Sequence, residues 1–417
     1  MSRFTELEAK IVATMPKPKK MGPAPNSIDL LSRMRALMSA LDNPEKSLKI
    51  IHVAGTSGKT STCYFLASLL TSAGFKTGLT ISPDIDNVRE RAIIDLLPLP
   101  ENEWCDHMDE YFALVQGSNV QPSYFEFFMG FAFWIFKKLG IDYVVLETGL
   151  GGTWDGSNVA LEPNKICAIT DIGLDHTELL GDTLAKITKD KSGIIRAGNI
   201  AFVNRQAPEI IATLEARCEE VGANLRIIED APTTDFMERN FYFAEQIAKF
   251  VLARDYNAEL NADQIAAAKQ VKIPARAEKI EIAGKAIIMD GSHNPQKLHA
   301  FSSHLDRRYP SDSRILIATL GQNKLSELDE CMAIFREISD HVIFTSFRHD
   351  SPETDYRESV FADTLMSGAQ KVDFASAEYV ASPEEALKKA QASPYSQIVI
   401  TGSFYLLKAI RPNLYKF

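Results

Sequence analysis

Apolar residues fall along the chain in short runs rich in Val and Ile, and these runs alternate with longer stretches whose apolar positions recur every three or four residues. The short runs suit strands buried on both faces of a parallel sheet, and the longer stretches suit helices that cover one. Such alternation predicts an α/β protein. Strands are expected at 48–54, 143–147, 166–171 and 200–204, and a second series at 286–290, 314–320, 341–347, 371–374 and 397–401. An Ala-rich helical stretch at 262–271 separates the two series. Pro274, in Lys272-Ile273-Pro274-Ala275-Arg276, then bars a helix, because proline lacks an amide donor and restricts the residue before it. The reading is an N-terminal domain over 1–270, a P-loop-type, mostly parallel sheet, followed by a smaller Rossmann-like α/β domain over 271–417. A junction of two such domains is a common place for a small-molecule cleft.

The most apolar stretch, 127–136, is too short to cross a hydrocarbon layer of about 30 Å and runs into Lys137 and Lys138, so it predicts a buried core helix. Residues 1–21 are polar, with Pro and Lys and no apolar core of the kind a secretory signal needs. Composition changes the picture in two ways. A hydrophobic content of 45% is enough for large cores and excludes wholesale disorder, while a net charge of -10 disfavours a broad grip on a nucleic-acid backbone. Neither nucleic acid nor membrane is expected as a partner, and any phosphate site has to be local. The cysteines, Cys63, Cys105, Cys167, Cys218 and Cys331, form no close pairs, which points away from a disulfide framework and towards a reducing cytoplasm.

Local chemistry concentrates where expected strands end. The run Ile50-Ile51-His52-Val53-Ala54-Gly55-Thr56-Ser57-Gly58-Lys59-Thr60 reads as strand, glycine-containing turn and helix start. Gly55 and Gly58 allow a phosphate close to the main chain, the first-turn amides point at it, Lys59 adds a cation, and Thr60 offers a hydroxyl to magnesium or phosphate. Its spacing, Gly-x-x-Gly-Lys-Thr, is shorter than the usual phosphate-loop pattern. Next, 142–147 ends in the carboxylate of Glu147 before Thr148-Gly149-Leu150-Gly151-Gly152, a placement that suits a hard oxygen ligand beside substrate phosphates. A third strand leads into Gly173-Leu174-Asp175-His176-Thr177, followed by a helix containing Lys189, Lys191 and Arg196. In the second half, Asp290-Gly291-Ser292-His293-Asn294-Pro295 leaves a strand and opens a helix, with Pro295 at its first position. Arg276 lies at the domain junction. Taken singly, each element also reads as an ordinary turn or solvated side chain.

Together, in this order, the motifs resemble the Mur ligase superfamily and within it folylpolyglutamate synthase/dihydrofolate synthase. The likeness covers most of the chain: Asn43-Pro44, the 48–62 phosphate loop, Ser82-Pro83, Glu90-Arg91, 123–126, 146–158, 173–177, 191–196, 274–278, 290–295 and 401–406. The resemblance implies ATP-dependent amide formation through an acyl phosphate, joining L-glutamate to a folate or to dihydropteroate; a cytoplasmic monomer is expected. It implies that Gly55, Thr56, Ser57, Gly58, Lys59 and Thr60 cradle the ATP phosphates, and that Ser82, Glu147 and His176 hold magnesium, two ions in all. Arg276, Asp290, His293 and Asn294 would meet the nucleotide from the second domain. By the same resemblance Lys59, His176 and Lys191 are the catalytic set, with Lys191 carbamylated into an oxygen ligand. The chain departs from the family at Ser57 and Thr60, at Asp84 where histidine is usual, at Thr153 where arginine is usual, and at Gln322-Asn323-Lys324. These departures bear on the acceptor pocket, so a Mur-type cell-wall amino-acid ligase and a degenerate ATP-binding non-enzyme stand as alternatives.

Overall fold

Strand propensity and burial coincide along the first sheet. In the computed structural model, which describes residues 2–16, 31–349 and 357–414, the chain divides into one unit, Met1–Val271, and a second, Lys272–Phe417. The polar amino-terminal segment read above therefore lies partly outside the described residues, at position 1 and from 17 onward. The first unit carries β1 Ile50–Ala54, β2 Thr77–Thr80, β3 Ile93–Ile94, β4 Leu97–Pro98, β5 Tyr143–Glu147, β6 Ile166–Ile169, β7 Ile200–Asn204 and β8 Asn224–Ile228. They pair in the order β4-β3-β2-β5-β1-β6-β7-β8. Only the β2–β3 and β3–β4 pairs are antiparallel. β1 sits between β5 and β6, parallel to both, and every residue of it is buried. A fully apolar run is what a strand covered on both faces requires. The carboxyl ends of β5, β1 and β6 consequently open side by side on one edge, where α/β sheets hold ligands.

The core helix expected at 127–136 is Tyr124–Lys138. Ser123 and Glu126 cap it reciprocally, which satisfies two otherwise orphaned amides, and Lys137 and Lys138 sit in the last turn, where the helix dipole favours cations. Its aromatics pack against Trp104 and Tyr111, and the Tyr111 hydroxyl donates to the Phe127 carbonyl at 2.7 Å. Among the described residues no helix is long and apolar enough to cross a membrane.

The second unit carries β9 Glu278–Ile282, β10 Lys285–Met289, β11 Arg314–Ala318, β12 His341–Phe344, the short ribbon β13 Arg348–His349 with β14 Arg357–Glu358, then β15 Ser376–Tyr379 and β16 Gln397–Thr401. Its main sheet runs β15-β12-β11-β16-β10-β9, parallel except for the β9–β10 pair. Two expectations are corrected here. Residues 371–374 are no strand: Lys371 closes the helix Ala362–Gln370, Asp373 turns at φ 55°, and the strand follows at Ser376–Tyr379. The helix at the third motif is Leu184–Lys191, followed by a 3-10 turn Ser192–Ile194, so Arg196 lies beyond it. The expected strands 166–171, 314–320 and 341–347 are shorter, because their polar or turn-forming tails leave the ladder.

Candidate active site

The phosphate loop is built by close packing. A Cβ on Gly55 would meet the Thr170 Oγ1 at 1.8 Å, and one on Gly58, which sits at φ +83°, would meet the Asn240 side chain at 2.8 Å. Glycine is therefore required at both positions. The amides of Thr56 and Ser57 donate to the Asp171 carbonyl at 2.8 and 3.1 Å, and the Thr56 hydroxyl donates to the Gly173 carbonyl at 3.0 Å. These two residues thus fasten the loop to the segment after β6. The amides that open the helix Lys59–Ser72 have no carbonyl four residues back within the helix and no side-chain cap, an arrangement that can take an anion at 58–60. Lys59 folds over the loop and donates to the Gly55 carbonyl at 3.0 Å.

Glu147 ends β5 beside this helix. Its Oε1 accepts from the Thr60 hydroxyl at 2.9 Å and its Oε2 from the Ser82 amide at 3.3 Å, with both Thr60 and Glu147 buried. Ser82 precedes Pro83 in a cis peptide. Burial, reinforced by the Glu147 charge, drives the Cys63 thiol well above its usual pKa, so this neighbouring cysteine is inert. Among the described residues no three His, Cys, Asp or Glu side chains gather as a metal cage. Magnesium does not need one: it keeps waters and substrate phosphate oxygens and takes one or two carboxylates. The Glu147 carboxylate with the Thr60 hydroxyl, beside Ser82, is an oxygen set of that type.

The glycine-rich turn after Glu147 rests on the Lys191 segment. A Cβ on Gly151 would meet Asp190 Oδ1 at 2.4 Å, one on Gly152 would meet the Lys191 carbonyl at 2.6 Å, and Thr153 donates to the Asp190 carbonyl through its amide and its hydroxyl at 3.0 and 2.8 Å. Asn158 bridges the carbonyls of Thr153 and Gly193 at 3.1 and 3.0 Å. Lys191 is buried, and its charge partly counters the burial that raises the Asp190 pKa. His176 follows β6 in the left-handed region at φ 51°, at the start of the short helix Thr177–Leu180. Its side chain is 46% exposed, in contrast to Glu147, and its Nδ1 lies 3.9 Å from Glu178 Oε1.

Glu147 thus ends β5, and Lys59 and His176 lie beyond the carboxyl ends of the two strands next in line, β1 and β6. The sequence reading did not single out Arg239 and Asn240, which the helix Phe236–Tyr256 brings to the same edge: Arg239 pairs with Asp171 at 3.3 Å and Asn240 stands against Gly58. No spacing rule could find them, because they are remote in sequence from the loop. Two departures from the family pattern also have local partners. Asp84 forms a buried ion pair with Arg91 at 2.8 Å, and Thr153 makes the Asp190 contacts above.

In the second unit the polar turn after β10 is largely self-satisfied. Asp290 accepts from the Ala277 amide at 2.8 Å, the Ser292 amide at 2.8 Å and the Ser292 hydroxyl at 2.6 Å. Asn294 caps the helix Pro295–Arg308 by accepting from the Lys297 amide at 3.0 Å. His293 Nδ1 lies 2.9 Å from the Gly291 carbonyl and its Nε2 3.2 Å from Lys297 Nζ. The Arg276 guanidinium stacks over Phe404 at 4.2 Å from the ring centre.

Comparison with known proteins bears on both units. Residues 275–404 match the family model described as Mur ligase, glutamate ligase domain. A Bacillus subtilis (strain 168) dihydrofolate synthase/folylpolyglutamate synthase is 28% identical over 428 residues, covering 92% of this chain and 94% of that protein. A folylpolyglutamate synthase of Arabidopsis thaliana is 39% identical over 203 residues, which is 46% of this chain and 34% of the plant protein. The chain therefore matches about a third of the plant relative's length and nearly all of the bacterial one. A solved FPGS–AMPPCP–folate complex superposes with a TM-score of 0.75 at 25% identity, covering 99% of both chains.

Proposed function

We propose that this chain, a member of the Mur ligase superfamily of the folylpolyglutamate synthase/dihydrofolate synthase type, is an ATP-dependent ligase that joins L-glutamate to a folate-type carboxylate. The acceptor is a folate or dihydropteroate. The observation that carries the reading is the meeting of the Lys59 loop with the buried Thr60–Glu147 pair at the carboxyl edge of β1 and β5.

In the proposed reaction an oxygen of the folate-type carboxylate attacks the γ-phosphorus of ATP and ADP leaves. The glutamate amine then attacks the acyl carbon of the acyl phosphate, phosphate departs, and the amine gives up a proton. Such chemistry depends chiefly on positioning and charge compensation. Lys59 and the 58–60 amides would hold the β- and γ-phosphates, while Gly55, Thr56 and Ser57 fix the loop's shape. Ser82 and Glu147, with Thr60, would hold one magnesium ion and Glu147 and His176 a second, and such cations offset the repulsion between carboxylate and triphosphate. Carbamylation of Lys191, a buried lysine, would turn a cation into an oxygen ligand. Arg276 and His293 would meet the nucleotide from the second unit, on a turn shaped by Asp290 and Asn294. A reducing cytoplasm is proposed from five free, buried cysteines, and the protein is proposed to be a monomer.

Purified protein with ATP and magnesium should release phosphate only when a pteroyl carboxylate and L-glutamate are both present. Turnover with a muramyl-peptide precursor instead would transfer it to the cell-wall ligases. ATP binding without amide formation over many turnovers would make it a non-enzyme.

A further inference from the structure

Behind the phosphate loop lies a buried polar line that the reaction scheme above does not use. His52, in the middle of β1, is fully buried and pairs in register with Leu146 of β5 and Cys167 of β6. Its Nε2 lies 2.8 Å from the Ser157 Oγ. Ser157 is also fully buried and in turn donates its hydroxyl to Asp155 Oδ1, which accepts the Ser157 amide at 3.0 Å as well. The other oxygen of Asp155 accepts the Leu150 amide at 2.8 Å.

Proton placement follows from the inventory of donors. The Ser157 hydroxyl spends its hydrogen on a carboxylate, so its oxygen must accept, and His52 must carry its proton on Nε2. Nδ1 is then a bare acceptor, and it is buried without a hydrogen-bond partner. A neutral imidazole fits the surroundings, since burial and the charges of Lys165 and Arg196 hold the His52 pKa well below its usual value.

Histidine, serine and aspartate in contact invite comparison with a hydrolytic triad, and the order excludes one. Here the carboxylate holds the serine rather than the imidazole, so no base is oriented to take the serine proton. Burial of all three residues also denies a substrate access. What the line does join is the strand that enters the phosphate loop and the turn that leaves Glu147. That turn is the one whose glycines and Thr153 rest on Asp190 and Lys191.

We infer that His52 is a positioning residue for the ligase reaction: through Ser157 and Asp155 it fixes the glycine-rich turn, and with it Glu147 and Lys191, against the phosphate loop. A displacement of about 1 Å in such a constellation costs on the order of a hundredfold in rate. The inference rests on the proposed ligase activity, and the experiment separates the two. Wild-type protein with no amide formation sinks the activity and the inference with it. Wild-type turnover unaffected by the variants sinks the inference alone.

The variants are His52→Leu, His52→Gln and Ser157→Ala, assayed for kcat, for KM of ATP and for melting temperature. Gln is chosen because its Nε2 stands where the imidazole Nε2–H did. His52→Leu should lower kcat by roughly tenfold to a hundredfold with KM for ATP changed less than about threefold. His52→Gln should recover to within about threefold of wild type. Ser157→Ala should resemble His52→Leu, and the double variant should be no worse than either single one, because both break the same line. Should His52→Leu fail to fold, rescue by Gln and the loss in Ser157→Ala decide alone. Additive losses, a Gln variant as slow as Leu, or kcat loss that merely tracks melting temperature would overturn the assignment.

Discussion

Two turns in this chain share one sequence plan, an apolar strand running into glycine and polar residues before a helix, and they settle their polar groups in opposite ways. After β1, Lys59 rests on a main-chain carbonyl, and the helix start has amides without intrahelical partners. After β10, Asp290 takes up three protein donors and Asn294 is consumed as a cap. The first turn suits the proposed phosphate site, whereas in the second Asp290 and Asn294 hold the backbone's own shape. A shared pattern therefore does not imply a shared role: the partners that fold around a polar side chain decide whether it serves a ligand or the backbone.

Substitutions can break that comparison. The largest effect is expected at the first turn, where Lys59→Ala and Glu147→Ala should each lower steady-state ligase turnover by on the order of a thousandfold, since losing one preorganised charge partner costs about that much. Circular dichroism should show an unchanged fold for Lys59→Ala. Next comes Gly55→Ala, whose new methyl group has Thr170 Oγ1 at 1.8 Å; isothermal titration with ATP should show binding weakened by roughly a hundredfold. Asp290→Ala belongs to the opposite class. It leaves the buried Ala277 and Ser292 amides without their acceptor, while the Ser292 hydroxyl keeps the Lys297 carbonyl at 3.1 Å, so urea denaturation should report a loss of about 1–3 kcal/mol, or more if the turn opens. A thousandfold drop in turnover for Asp290→Ala with unchanged stability would erase the distinction between the turns.

The smallest effect is a pH dependence. His52 has a lowered pKa in the folded protein, so the unfolded chain binds the extra proton more readily. Stability from this group is full above about pH 6.5, the ordinary histidine value, and is lost as pH falls towards the folded pKa. The slope reaches at most about 1.4 kcal/mol per pH unit, and His52→Gln should flatten it in denaturation curves collected below pH 6.5.

Legibility in the sequence followed apolar composition: β2, Thr-Gly-Leu-Thr, is buried throughout and sits inside the sheet, yet its polar residues do not read as a strand. β5, β7 and β16 were readable to the residue because interior strands are continuous apolar runs. The edge strands β8 and β15 were missed or misplaced, since their alternating and polar residues resemble turns. At the site, the phosphate loop, Glu147 and the His176 turn announced themselves by composition at strand ends. The burial of Thr56 and Ser57 amides against Asp171, the backing of Gly58 by Asn240 and the His52–Ser157–Asp155 line did not, because each joins segments brought together only by the sheet order β5-β1-β6 and the helix beyond it.

The most direct test is a steady-state assay of ADP release by the wild-type protein with magnesium, run with a pteroyl carboxylate alone, L-glutamate alone and both together, beside Lys59→Ala. Sustained ADP release that needs both substrates, matched mole for mole by new amide and absent in Lys59→Ala, is the predicted result. Release indifferent to either substrate, or undiminished without the Lys59 ammonium, would contradict it.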